Sequence, residues 1–113
     1  AAGYYELAIR LDPYSPFNYL ELGRLRRGQE RDEEALTLFG RATEYEPNFL
    51  PARVHRAELL VKAGRTITAM QEYTEIVKVR KRYQGAGLNA LERQYVDVDL
   101  SPLRRALGVD TTS

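Results

Sequence analysis

"EEALTLFGRATEYEPN", residues Glu33 to Asn48, sets Ala35, Phe39, Ala42 and Pro47 at successive offsets of four, three and five. The opening stretch "AAGYYELAIRLDPY" carries Ala1, Tyr5, Ala8 and Pro13 at the same offsets, so each residue precedes its counterpart by 34 positions. A second step of 34 leads from Ala35 to Ala69, from Phe39 to Tyr73 and from Ala42 to Ile76, again small, aromatic, then small or branched. Self-similarity at a fixed period of about 20 to 50 residues is the mark of stacked repeats, in which each unit buries its apolar face only against its neighbours.

Each repeat unit divides into two helical halves. Phe17, Leu20, Leu22 and Leu25 mark a helix from about Pro16 to Arg27. "YSPF" should start it, with Ser15 as N-cap and Pro16 at the first helical position, where a missing N–H costs nothing. Ala35, Leu38, Phe39, Ala42 and Tyr45 recur at three and four, predicting a second helix from about Asp32 to Glu46. Pro47 should stop it, since proline lacks a backbone donor and disfavours the α conformation in the residue before it.

The next unit repeats the plan, with helices predicted from about Pro51 to Ala63 and from about Ile67 to Arg82. Lys81 stands where the closing proline is expected, so this last helix is free to run on through "VRKRY". After Tyr83 the rhythm breaks into a Gly-rich turn, a short helix with Asn89 as N-cap and Glu92 as its capping-box partner, and "SPLRRALG", read as Ser101 cap, Pro102 first and Gly108 stop. The intervening "VDVDL" fits either a loop or a short extended segment. These closing pieces either cover the apolar end of the last repeat, as stacked repeats require, or form a docking tail.

The expected fold class is therefore all-α: a helical solenoid of a half repeat (1–13), two full repeats (14–47 and 48–83) and C-terminal capping helices (84–113). Because the sequence opens inside a repeat, it is expected to be part of a longer parent. The second helix of the truncated repeat then lacks its partner, and its apolar face offers a route to self-association.

Composition narrows the function. Seventeen Lys and Arg against sixteen Asp and Glu give a net charge of +1, no global field for a nucleic acid. There is no cysteine, hence no disulfide framework and no thiolate metal site. No stretch approaches the length and apolarity of a membrane span, and no signal segment is legible. One histidine, His55, with no serine at helical spacing, does not make a catalytic set, so no enzymatic activity, cofactor or metal is expected. Glu30, Asp32, Glu33 and Glu34 belong to a turn and a helix start, where negative charge suits the helix dipole. The basic runs "RLRR" (24–27), "KVRKR" (78–82) and "LRR" (103–105) read as solvated helix ends.

The order large residue, Leu-Gly, then Ala, Phe, Ala and Pro, held by Tyr19, Leu22-Gly23, Ala35, Phe39, Ala42 and Pro47, resembles the tetratricopeptide repeat over roughly the first 83 residues. Small residues at Gly23, Ala35, Ala57 and Ala69 would let two helix axes approach within about 8 to 10 Å. The departures are Glu30 at the turn usually held by glycine, Arg26 in place of a tyrosine, and Arg56 in place of a leucine. Arg56 must either pack its aliphatic stem and reach water or meet a carboxylate such as Glu58 or Glu72.

The resemblance implies a protein-interaction module whose first helices line a concave face for a peptide or partner subunit. Carried over, that face holds Phe17, Leu20, Arg24 and Arg27 from one repeat and Val54, His55, Glu58 and Lys62 from the next. Leu20 and Arg24 stand where the branch that clamps chaperone carboxyl termini has Lys and Asn, so that clamp is not reproduced. The alternative is a structural end-cap of a longer solenoid. The turn "PNFLPA" and the ending "VDLSPLRRAL" look similar to the soluble repeat tails of bacterial O-antigen ligase or polymerase-family membrane proteins, which implies that any glycan chemistry would reside in another domain.

Overall fold

The computed structural model describes residues 2–84 and 87–109. Among them are seven helices and no strand: α1 (Ala2–Leu11), α2 (Pro16–Gly28), α3 (Asp32–Tyr45), α4 (Leu50–Lys62), α5 (Thr66–Arg82), α6 (Ala90–Val96) and α7 (Ser101–Leu107). Ala1, part of the Gly-rich turn and the end of the sequence after Val109 fall outside the described residues.

The period of the sequence reappears in the backbone. Helices α2 and α4 have the same length and boundaries exactly one period apart, and α3 and α5 start one period apart. The turn after α2 places Glu30 at φ 59°, with its N–H on the Arg27 carbonyl (2.9 Å) and the Arg31 N–H on the Arg26 carbonyl (2.9 Å). The turn after α4 does the same with Gly64 at φ 79°, Val61 (2.9 Å) and Leu60 (2.8 Å). Both are Schellman caps, in which a left-handed residue lets two carbonyls of the last turn regain donors. Gly108 closes α7 the same way, at φ 70°.

Helix starts depart from expectation in two places. Ser15 has the extended backbone of an N-cap, and Pro16 opens α2 as read, but the Ser15 hydroxyl makes no capping bond. Helix α7 begins at Ser101 rather than Pro102, and the Ser101 N–H is taken by Asp99 Oδ1 at 3.0 Å, a charged acceptor two positions upstream. The capping box of α6 forms in both directions, Glu92 N–H to Asn89 at 2.8 Å and Asn89 N–H to Glu92 at 3.1 Å. With Lys81 in place of proline, α5 runs on to Arg82, nearly one turn beyond the register at which α3 stops before Pro47.

Successive helices from α1 to α5 pack chiefly on their neighbours in the chain. The molecule measures 42 × 37 × 19 Å, and the thin dimension is that of two packed helices, each about 10 Å across. Ala35, Ala57 and Ala69 are fully buried. One core joins Tyr19, Leu20, Phe39, Ala42 and Phe49, and a second joins Leu50, Val54, Tyr73, Ile76 and Val79. Leu20 and Val54, Phe39 and Tyr73, Ala42 and Ile76 are counterparts in successive repeats, one of each pair in each core.

The second core is completed from the C-terminal segment, where Val96, Leu100 and Leu103 are buried against α4 and α5. Burying a leucine contributes about 1.5 to 3 kcal/mol, so α6 and α7 supply a substantial part of what covers the last helix pair. At the other end α1 has no buried residue among those described. Tyr4 and Leu11 are 69% and 78% exposed, and an ion pair from Glu6 to Arg26 (2.9 Å) helps hold it to α2.

Candidate functional site

Helices α2 and α4 both pack on α3, and polar side chains link the end of α2 to α4. Arg27, in the last turn of α2, sends one guanidinium nitrogen to Glu58 Oε1 (2.8 Å) and His55 Nδ1 (2.7 Å), both on α4. Arginine is an obligate donor, so Nδ1 must accept and the His55 ring is the neutral tautomer with its proton on Nε2. The ring also stacks on Phe39, 4.9 Å between centroids and 10° between planes. Burial lowers the His55 pKa to about 4, Arg27 and more weakly Arg24 pushing the same way while Glu58 opposes them.

The eight residues expected on this face separate into three kinds. Arg27, His55 and Glu58 are brought together as one hydrogen-bonded group. Leu20 and Val54, each 8% exposed, belong to the two cores and set the helix spacing rather than present surface. Phe17 packs edge-on to Phe49 (4.9 Å) and near Tyr95 of α6 (6.1 Å), so the C-terminal segment partly covers it. The two most open charges are Arg24, loosely paired with Glu21 at 3.4 Å, and Lys62, which reaches Asp32 at 2.8 Å. Asp32 Oδ1 is buried with no hydrogen-bond partner among the described residues.

A second charged group was legible only in part. Glu72 of α5, 7% exposed, is held by Arg53 Nε and by Arg56 Nη1 (2.9 Å), both from α4. Of the two outcomes open to Arg56, the structure shows the ion pair, with Glu72 and not Glu58. The register explains the set: in the preceding repeat Arg53, Arg56 and Glu72 correspond to Tyr19, Leu22 and Leu38. Three largely apolar positions in one helix pair have become an ionic trio in the next. The replacement even conserves a bond, for Tyr19 Oη donates to the Pro13 carbonyl (2.8 Å) and Arg53 Nη1 donates to the Pro47 carbonyl (2.9 Å). Reading the three substitutions together, rather than Arg56 alone, was the available signal.

No protein-family model matches this chain, and no curated protein matches it in sequence. The functional reading therefore rests on the geometry above. Among the described residues no three His, Asp or Glu side chains form a group able to hold a metal ion, and no helix is long and apolar enough to cross a membrane. His55 has Arg27, Glu58 and Phe39 around it, with no hydroxyl nucleophile bonded to it among the described residues. Its bonds describe a packing role, with Nδ1 occupied by a permanent cation.

Proposed function

We propose that the chain is a non-enzymatic protein-interaction module of tetratricopeptide-repeat type, a short helical solenoid that receives a peptide or a partner subunit on the α2/α4 face. The observation that carries this reading is the polar link between α2 and α4. Arg27, His55 and Glu58 form a pre-organised floor, and Arg24 and Lys62, both largely exposed, each have a single partner, Glu21 and the half-buried Asp32. Side chains already fixed by packing lose little freedom on binding, while open arginine and lysine heads offer donors to a carboxylate-bearing ligand. The period shared by caps, cores and helix lengths supports the repeat reading.

The test is capture of a partner by the wild type and by Arg24→Glu, with circular dichroism on both. Arg24 is the better probe than Arg27, whose replacement would also strand Glu58. Binding lost with helicity kept supports the face as the docking surface. Equal binding by both proteins removes Arg24 from it.

A second, structural reading is favoured by α6 and α7, which bury Val96, Leu100 and Leu103 over the last helix pair. On that reading the chain terminates a longer solenoid, and the activity of a parent protein, glycan transfer included, lies in another domain. Truncation after Tyr83 should then expose Val54, Ile76 and Val79 and cause association or loss of helicity.

A further inference from the structure

Two of the basic runs that read in sequence as solvated helix ends meet in space. Arg80 and Lys81 from the end of α5 and Arg104 from α7 line one cleft of about 290 Å³, together with Tyr73, Val77 and Gln84. Three cations surround it and, among the described residues, no carboxylate lines it. The cleft is more enclosed than the larger groove between α3 and α4, whose arginines share their walls with Glu33 and Glu44.

Pairing divides the cations into two groups: Arg10, Arg65, Arg82, Arg93 and Arg105 also lack an ion pair among the described residues, and the cleft differs in gathering three unpaired cations in one place. Arg24, Arg26, Arg27, Arg31, Arg41, Arg53 and Arg56 each lie within 4 Å of a carboxylate. Among the described residues, none of Arg80, Lys81 and Arg104 has such an ion pair. The dipole of α5 accounts for cations in its own last turn. It does not account for a third cation delivered there by a separate helix, against like-charge repulsion. Arg104 is moreover fixed in place, its Nε donating to Tyr73 Oη at 2.9 Å. That bond uses Nε and leaves the terminal nitrogens of the guanidinium for another acceptor, and it leaves the Tyr73 hydroxyl hydrogen for donation. Asp99, nearby in the chain, accepts the Ser101 N–H at 3.0 Å and feels the charges of Arg105 and Arg104, but it forms no ion pair within 4 Å with either and does not line the cleft.

From this concentration of donors, we infer that the α5/α7 cleft is a binding site for a phosphate monoester. Two guanidinium groups, an ammonium, a phenol and the Gln84 amide supply donors and charge from several directions. A dianion with three terminal oxygens uses that set more fully than a carboxylate does, and guanidinium groups match phosphate oxygens in pairs. The volume lies at the low end for small-molecule sites, which run from about 300 Å³ upward, and suits a single phosphorylated group. The source is either a free phosphorylated metabolite or a phosphorylated side chain on a partner.

The test is a titration of the full chain with inorganic phosphate, free phosphoserine and a phosphoserine peptide at constant ionic strength, followed by amide chemical shifts. Saturable shifts at Tyr73, Arg80, Lys81 and Arg104 are expected. Lys81→Gln, an exposed change that leaves the Tyr73–Arg104 bond intact, should weaken binding at least tenfold, and Arg104→Gln at least as much. Tighter binding of the peptide than of free phosphoserine assigns a protein source, and equal binding assigns a free one. Shifts that do not saturate, or that are unchanged in Lys81→Gln, overturn the assignment.

Discussion

A methyl group at Gly23 would stand 2.6 Å from Cε1 of Phe39, closer than two carbons can approach. The ring cannot yield, because Phe39 is fully buried and lies against His55 on its other side. Gly23 is thus the space that Phe39 occupies, and the helix pair α2/α3 closes around that exchange of a small residue for a large one. Gly23→Ala should cost about 1 to 3 kcal/mol by overpacking, despite the better helix propensity of alanine. Gly40→Ala is the matched control: it sits within α3, where an added methyl meets nothing within 4 Å. It should gain about 0.5 to 1 kcal/mol. Thermal melts of the two variants should move in opposite directions; movement in the same direction would remove steric exclusion as the reason for this glycine.

Glu30 carries a backbone strain that its counterpart avoids. It holds φ 59° at the turn where Gly64, its equivalent in the next repeat, holds φ 79°. A non-glycine residue in the left-handed region costs about 1 to 2 kcal/mol, offset in part by the greater freedom glycine gives the unfolded chain. Glu30→Gly should therefore stabilise by about 1 kcal/mol, and Gly64→Ala should destabilise by a similar amount, with chemical denaturation as the measure. A neutral Glu30→Gly would mean that the Glu30 side chain recovers the strain through contacts of its own.

The helix pairs and their small-for-large packing were legible because the period repeats each signal: Ala35 and Ala69, Phe39 and Tyr73, Leu20 and Val54 confirm one another. The site was less legible. Arg27, His55 and Glu58 were placed on one face by the resemblance to the tetratricopeptide repeat, which does not show that they would bond to each other instead of facing a ligand. Leu20 and Val54 were placed there too and are buried, because the same face supplies both groove and core. The α5/α7 cleft was invisible for a different reason: Lys81 and Arg104 are brought together by the C-terminal segment, which lies outside the repeat and obeys no period.

The ionic trio makes a prediction that uses the molecule as its own reference. Removing the buried Glu72 leaves Arg53 and Arg56, 13% and 30% exposed, without their carboxylate; deleting one partner of a fully buried pair costs about 3 to 5 kcal/mol, and the access of Arg56 to water puts this group at the lower end. Glu72→Ala should thus be severely destabilised in urea melts. The triple variant Arg53→Tyr, Arg56→Leu, Glu72→Leu installs the set found in the preceding repeat, including the hydroxyl that would bond the Pro47 carbonyl as Tyr19 bonds that of Pro13. Apolar replacement of a buried ionic group is often neutral or stabilising by about 1 to 4 kcal/mol. The triple variant should therefore be at least as stable as wild type. A triple variant as weak as Glu72→Ala would show that the two helix pairs differ in shape as well as in charge.

His55 should set an acid limit on the fold. Its pKa falls to about 4 in the folded chain, against about 6.5 when exposed. Between those values the unfolded chain binds the proton and the folded chain does not, so acid favours unfolding. The stabilisation associated with neutral His55 is fully present above about pH 6.5 and is lost as pH falls toward about 4; below that both states are protonated and no further loss arises from this residue. Allowing for partial solvent screening, the loss is on the order of 2 kcal/mol. The cause is structural: a protonated ring would sit buried against Phe39 with its Nδ1–H facing the Arg27 guanidinium, a donor facing a donor. His55→Phe keeps an aromatic ring on Phe39 and cannot titrate, so its stability relative to wild type should improve steadily from about pH 6.5 to about pH 4. Carboxylates that titrate in the same range contribute to both proteins and cancel in that difference. A difference independent of pH would mean that the folded chain takes up the His55 proton at no cost, the ring and the Arg27 guanidinium having parted.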